Sequence, residues 1–167
     1  DAEISKQIAQ GVSEGQARRT VSDELLKSLR EKMGDQKFIA INGRNYRPDK
    51  YAELVARTRT REATTQGTIN TSLHYGTDLV QWDIHSEICE YCQQYAGRVY
   101  SISGNDDNFP ALKEQPPLHP HCKCVLIPVT FQHLERSGVL DETIKLSRSK
   151  LIDIDSFAKY EEALASL

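Results

Sequence analysis

The chain has 167 residues, 38% apolar and 27% charged, with a net charge of −3. That length suits one domain, or a small domain with a helical appendage. No apolar run approaches the roughly 20 residues of a membrane span, and the acidic balance argues against a general nucleic-acid binder, which must neutralise phosphates.

The first half reads as helical. Ala2 to Gln10 is a short amphipathic segment stopping at Gly11, and Ser13 to Gln16 forms a capping box with Val12 placed to staple against Ala17. The helix it opens carries Val21, Leu25, Leu29 and Met33 at helical spacing and is expected to end at Gly34. A short apolar run, Phe38 to Ile41, meets a turn at Asn42-Gly43. Pro48 then sits where a helix accepts proline in its first turn. Tyr51, Leu54, Val55 and Thr58 share one face of that helix. Six threonines lie between Thr58 and Thr71, and Gly67 is expected to interrupt it, because β-branched residues and glycine weaken helices.

From Gly76 the texture changes. Asp78 to Ile84 reads as a strand, Arg98 to Ile102 as a second, and Gly104 to Asn108 as the polar loop after it. Val125 to Phe131 is a third strand, and Pro128 makes it an edge strand or a short one. Weaker helical patterns lie near Asp141 to Ser147 and Ser156 to Leu164. The expected class is α+β: a helical docking region over 1–75, a small antiparallel sheet built around a cysteine/histidine cluster over 76–131, and a helical tail over 132–167. The chain opens on Asp1 with no signal-peptide pattern, and is expected to be a piece of a longer protein.

Charge is uneven. Between Arg44 and Arg61 stand six basic residues against two acidic ones. This stretch is a solvated helix face or a contact surface for DNA or an acidic partner, with Arg44, Arg47, Arg57, Arg59 and Arg61 as the contact residues.

All four cysteines lie between Cys89 and Cys124. The segment runs Cys89-Glu-Tyr-Cys92, a turn-rich stretch, then His119-Pro-His121-Cys122-Lys-Cys124. Two close pairs of soft ligands at this spacing suit a tetrahedral zinc site, with thiolates at about 2.3 Å and imidazole nitrogens at about 2.0 Å. Cys89, Cys92, His119, Cys122 and Cys124 compete for four places, with His121 a sixth candidate. The first tetrad is Cys89, Cys92, Cys122 and one of Cys124 or His119. Two disulfides or free thiols are the competing readings. A catalytic zinc would need an open position and a general base, for which Glu87 and Glu90 are near in sequence.

Enzyme signatures do not fit. His85-Ser-Glu87 followed by Cys89-x-x-Cys92 is superficially like a nucleobase deaminase, but one residue between Glu87 and Cys89 leaves no room for the second element. Phosphate loops, a Ser/His/Asp order and H-E-x-x-H are absent. A nuclease built on His119, His121 or His133 remains as an alternative.

One ordered set of motifs is more specific. Ile8 to Gln16, Ala56-Arg57-Thr58, Val80-Gln-Trp82, Cys89-x-x-Cys92, Gly97-Arg-Val-Tyr100, Phe109-Pro110, His119 to Cys124 and Ile127-Pro128 succeed one another. This order resembles the phage minor head proteins, the Mu F-like head morphogenesis family and the minor capsid protein 2 group, over roughly residues 2–130. The resemblance implies a non-enzymatic head protein of a phage or prophage, made in the bacterial host cytoplasm and placed inside the virion head near the portal. It implies the portal and other head proteins as partners, with roles in head assembly and in DNA packaging or ejection, and neither a membrane nor a small-molecule substrate. Cys89, Cys92, His119, Cys122 and Cys124 fall on the family's cysteine/histidine pattern; the role of Arg57 and Thr58 is unassigned. That the cofactor is a structural zinc ion is inferred from the spacing alone. The alternative function is a phage-delivered zinc hydrolase or nuclease.

Overall fold

The computed structural model describes residues 18–41, 43–84, 90–119 and 121–151. The expected helix at Ala2 to Gln10, the capping box and the pattern at Ser156 to Leu164 lie outside them. The described residues are α+β, as expected, and fall into two compact units. One ends at Gln66 and includes His119–Cys122; the other comprises Gly67–Leu118 and the chain from Lys123 onward.

In the first unit, α1 (Arg18–Met33) buries its apolar stripe as the spacing requires. Val21 and Leu25 pack against Ala52 and Ala56 of α2 (Pro48–His74), with Leu26, Leu29 and Val55 around them. Leu25 is almost fully enclosed, which is worth about 2–3 kcal/mol. The buried face of α2 is Ala52 and Ala56, while Tyr51, Leu54 and Thr58 are only partly covered. Small side chains leave α1 room for its leucines.

Between these helices, β1 (Ile39–Ile41) and β2 (Arg44–Tyr46) form a hairpin with Ile41 opposite Arg44, and Gly43 before β2 is left-handed (φ +77°). The turn was legible; β2 was not, because Arg-Asn-Tyr carries no strand pattern. Tyr46 leans on Tyr51 with ring centroids 6.0 Å apart.

Gly67 does not interrupt α2, which runs unbroken to His74. Three of the six threonines, and Ser72, bond their hydroxyls back within the helix: Thr58 donates to Leu54 O, Thr60 to Ala56 O, Thr64 to Thr60 O and Ser72 to Thr68 O. These back-bonds give those hydroxyls partners without leaving the helix. The helix stops in a Schellman motif, with Thr77 N–H on Ser72 O (2.8 Å) and Gly76 N–H on Leu73 O (3.1 Å). Gly76 takes the left-handed conformation (φ +72°) that this motif requires.

The second unit is built on β3 (Leu79–Ile84), which pairs antiparallel with β4 (Val99–Ser101) on one side and β5 (Cys124–Val129) on the other. The short helix α3 (Glu90–Gln93) leads back toward β4. Trp82 in mid-strand is fully buried, stacked on Tyr95 at 4.6 Å and edge-on to Tyr100 at 6.4 Å. The opposite face packs Leu79, Val99 and Val129 with Phe109 and Leu134, flanked by Leu140 and Ile144. Leu134, Leu140 and Ile144 come from α4 (Phe131–Arg136) and α5 (Leu140–Arg148). Helix α5 matches the Asp141 to Ser147 pattern. Helix α4 was unexpected, its signal being Thr130, whose hydroxyl caps His133 N–H.

Opposite Trp82, the β4 side carries a bulge: Trp82 N–H donates to Arg98 O and Gly97 N–H to Trp82 O. Gly97 is left-handed (φ +74°), the first-residue conformation of a glycine bulge. The extra residue turns Arg98 inward. Its guanidinium, 5% exposed, donates to Gln94 O (2.5 Å), Ser149 O (2.6 Å) and Ser149 Oγ (2.8 Å), and pairs with no carboxylate among the described residues. Ser149 caps the C-terminus of α5, where the helix dipole welcomes a cation. Ser147 Oγ accepts from Val99 N–H at 2.9 Å, so β4 and α5 are joined by polar bonds at two adjacent residues.

Replacing Arg98 by Ala should destabilise the chain by about 3 kcal/mol, since it deletes charge-assisted bonds and strands buried carbonyls. Urea denaturation reads this directly; a loss below about 1 kcal/mol would contradict the role given to Arg98. Alkaline pH should act through the tyrosines. Burial pushes Tyr100 up to about 12, against a smaller opposing pull from Arg98. Burial, reinforced by Tyr91, raises Tyr95 further. Because the fold favours both neutral phenols, their contribution is intact below pH 10 and falls as pH climbs through 12. Tyrosinate absorbance should therefore show two of the seven tyrosines ionising late, together with unfolding.

Candidate metal centre

Cys92 lies on α3, and its carbonyl accepts Tyr95 N–H at 3.0 Å while Gln93 O accepts Ala96 N–H at 3.1 Å. These turns carry the chain from Cys92 directly into the Gly97 bulge, so the thiol's place is tied to the sheet. Cys92 is 1% exposed. Cys122 closes a tight turn, its N–H on His119 O at 3.1 Å, and is equally buried. Within that turn His121 adopts φ +64°, unusual for a residue with a Cβ. Cys124 opens β5 opposite Ile84 and is also buried.

The Sγ atoms of Cys92 and Cys122 and a ring nitrogen of His119 all lie within 4.8 Å of one another. Tetrahedral bonds of about 2.3 Å would place such donors roughly 3.7 Å apart, so modest closure completes the contact. Two thiols and an imidazole suit zinc and other borderline-soft ions, and disfavour calcium or magnesium, which take oxygen. This Cys/His group can bind a metal. Among the described residues no carboxylate joins it, and Cys92, Cys122 and Cys124 form no disulfide.

Of the sequence candidates, Cys92, His119 and Cys122 are thus brought together. Cys124 is near in sequence but outside that set of three; Cys89, His85 and Glu87 lie outside the described residues. His121 is exposed and faces elsewhere: its Nδ1 is 3.0 Å from Arg57 Nη1. The basic stretch is largely matched by its own acids. Arg47 pairs with Asp49 at 3.0 Å, Arg57 with Glu53 at 2.9 Å and Arg59 with Glu62 at 2.8 Å. Exposed pairs of this kind contribute little stability, but they reduce the charge presented to a phosphate backbone. Arg44 stands exposed on β2 and Arg61 half-buried on α2. Sequence reasoning did not foresee the inward turn of Arg98. Its one signal was the glycine before it, which fits a bulge once a strand is recognised on either side.

With the geometry in place, a family model, phage minor capsid protein 2, matches residues 4–115. The chain belongs to the phage minor capsid protein 2 family. The match spans α1, α2, β3, β4 and Cys92, and stops before His119, so two members of the metal-binding group lie beyond it. No curated protein and no solved structure matches the chain. Membership makes this a structural component of a phage head, with other head proteins as its partners. Among the described residues no helix is long and apolar enough to cross a membrane.

Burial of the cysteines has a direct readout. In the native minor capsid protein at least three of the four thiols should resist an aromatic disulfide reagent that labels all four in denaturant. More than one fast-reacting thiol in the native chain would contradict the burial of Cys92, Cys122 and Cys124.

Proposed function

We propose that this chain is a non-enzymatic minor head protein that works beside the portal during head assembly, with one zinc ion as a structural centre. The observation that carries the zinc reading is the convergence of the buried Cys92 and Cys122 with the half-buried His119, in a set that no carboxylate joins among the described residues. A catalytic zinc keeps an open position and a nearby base; a Cys/His set with two buried thiols is the pattern of structural sites. Spacing supplies the fourth donor, Cys89 through the Cys89-x-x-Cys92 knuckle, with Cys124 as its rival. Both units are small, and metal binding free energy becomes folding free energy in such segments. Placement near the portal, Mu F-like kinship and a part in DNA packaging or ejection are carried from the family resemblance. The pairing of Arg47, Arg57 and Arg59 with acids favours protein over DNA as the partner.

Elemental mass spectrometry should find one zinc per chain in reduced protein. Chelation, or Cys92→Ser, should lower the melting temperature sharply. A fold that survives metal removal while a hydrolytic or nuclease activity disappears would support the enzymatic alternative instead. For the assembly role, heads assembled with and without the chain should differ in portal content; identical heads would sink it.

A further inference from the structure

Ala56-Arg57-Thr58 is the one motif whose role the sequence left unassigned, and its neighbours are now explained. Ala56 is buried against α1 and Thr58 bonds back to its own helix. Arg57 does something else. Its Nη2 donates to Glu53 Oε1 at 2.9 Å, one helical turn back, and its Nη1 lies 3.0 Å from His121 Nδ1. A guanidinium has donors only and stays protonated, so His121 Nδ1 must accept. In this contact Nδ1 is the acceptor, which leaves Nε2 as the nitrogen that carries hydrogen. An imidazole ligates metal through an unprotonated nitrogen, and here one nitrogen holds the arginine while the other carries hydrogen. His121 therefore has no donor left for an ion.

The same contact reaches the metal-binding turn. His121 lies between His119 and Cys122 in the turn that Cys122 N–H closes on His119 O, and its positive φ must be held by something outside its own backbone preference. We propose that Arg57 is a positioning residue: held by Glu53, it engages His121, selects His119 over His121 as the imidazole donor, and sets the turn that presents His119 and Cys122. The proposal rests on the zinc reading of the Cys92, His119 and Cys122 group.

The test uses the full chain with ¹⁵N-labelled histidine rings, zinc-free and zinc-loaded, beside Arg57→Gln and His121→Ala. In the wild type His121 should show the neutral Nε2–H signature in both states. On adding zinc, the ring that shifts to a metal-bound value should be the one missing in His119→Ala. Arg57→Gln should lose the fixed His121 tautomer and bind zinc about 10–100-fold more weakly in chelator competition, with helicity unchanged. His121→Ala should weaken zinc binding to a similar extent, because it removes the same contact, and the double variant should be no weaker than either single one. A metal-bound His121 in the wild type overturns the proposal, as does an Arg57→Gln variant with both tautomer and zinc affinity unaltered. A wild type that takes up no zinc overturns the metal reading instead, and the His121 tautomer then decides on its own whether Arg57 holds the turn.

Discussion

The register of a single strand governs the second unit. β3 must satisfy backbone groups on both edges, and its pairing sets Ile84, its last residue, opposite Cys124, the first residue of β5. A one-residue slip would turn Trp82 out of the core and send every cysteine-bearing connection to the wrong face. With the observed register, the end of β3 and the start of β5 lie side by side at one end of the sheet. The Trp82–Tyr95 stack supports that register from the other direction, because Tyr95 sits on the return from Cys92 to the bulge.

Polar groups are buried here at some cost. Arg98 has no carboxylate partner among the described residues, and its charge is spread over carbonyls at a helix end. Trp82 Nε1 and the Tyr100 hydroxyl are buried with no hydrogen-bond partner among the described residues, a cost of about 1–3 kcal/mol each that large aromatic burial must offset. A unit balanced this way has little margin.

Elements with strong local signals were legible in the sequence. The α1 stripe, Pro48 at the start of α2, the three sheet strands and the edge position of the strand bearing Pro128 all emerge from periodicity and from proline and glycine chemistry. What was not legible depended on tertiary context. Gly67 and the threonines looked like helix breakers because local rules cannot see hydroxyls bonding back to the preceding turn. The alanines of α2 looked neutral, whereas they are the contact face, since space for a neighbouring leucine is a property of two helices. In the cluster, spacing singled out Cys92, His119 and Cys122, which the structure brings within 4.8 Å of one another, but could not choose between His119 and His121. The contact of His121 with Arg57, far away in sequence on α2, was not legible either.

Pro128 has a consequence beyond marking an edge. Trp82 turns its N–H and C=O toward the β4 side, and antiparallel alternation makes Val80 do the same. Pro128, opposite Val80, therefore directs its backbone outward, at the one place where its missing N–H interrupts the open border of the sheet. A continuous border would be a template for a neighbouring chain and, through it, for a fibre. A virion component is made amid many copies of interlocking proteins, where a stray strand pairing could be amplified. The proline removes one donor from that rim, so a strand laid along it would meet a gap in the ladder.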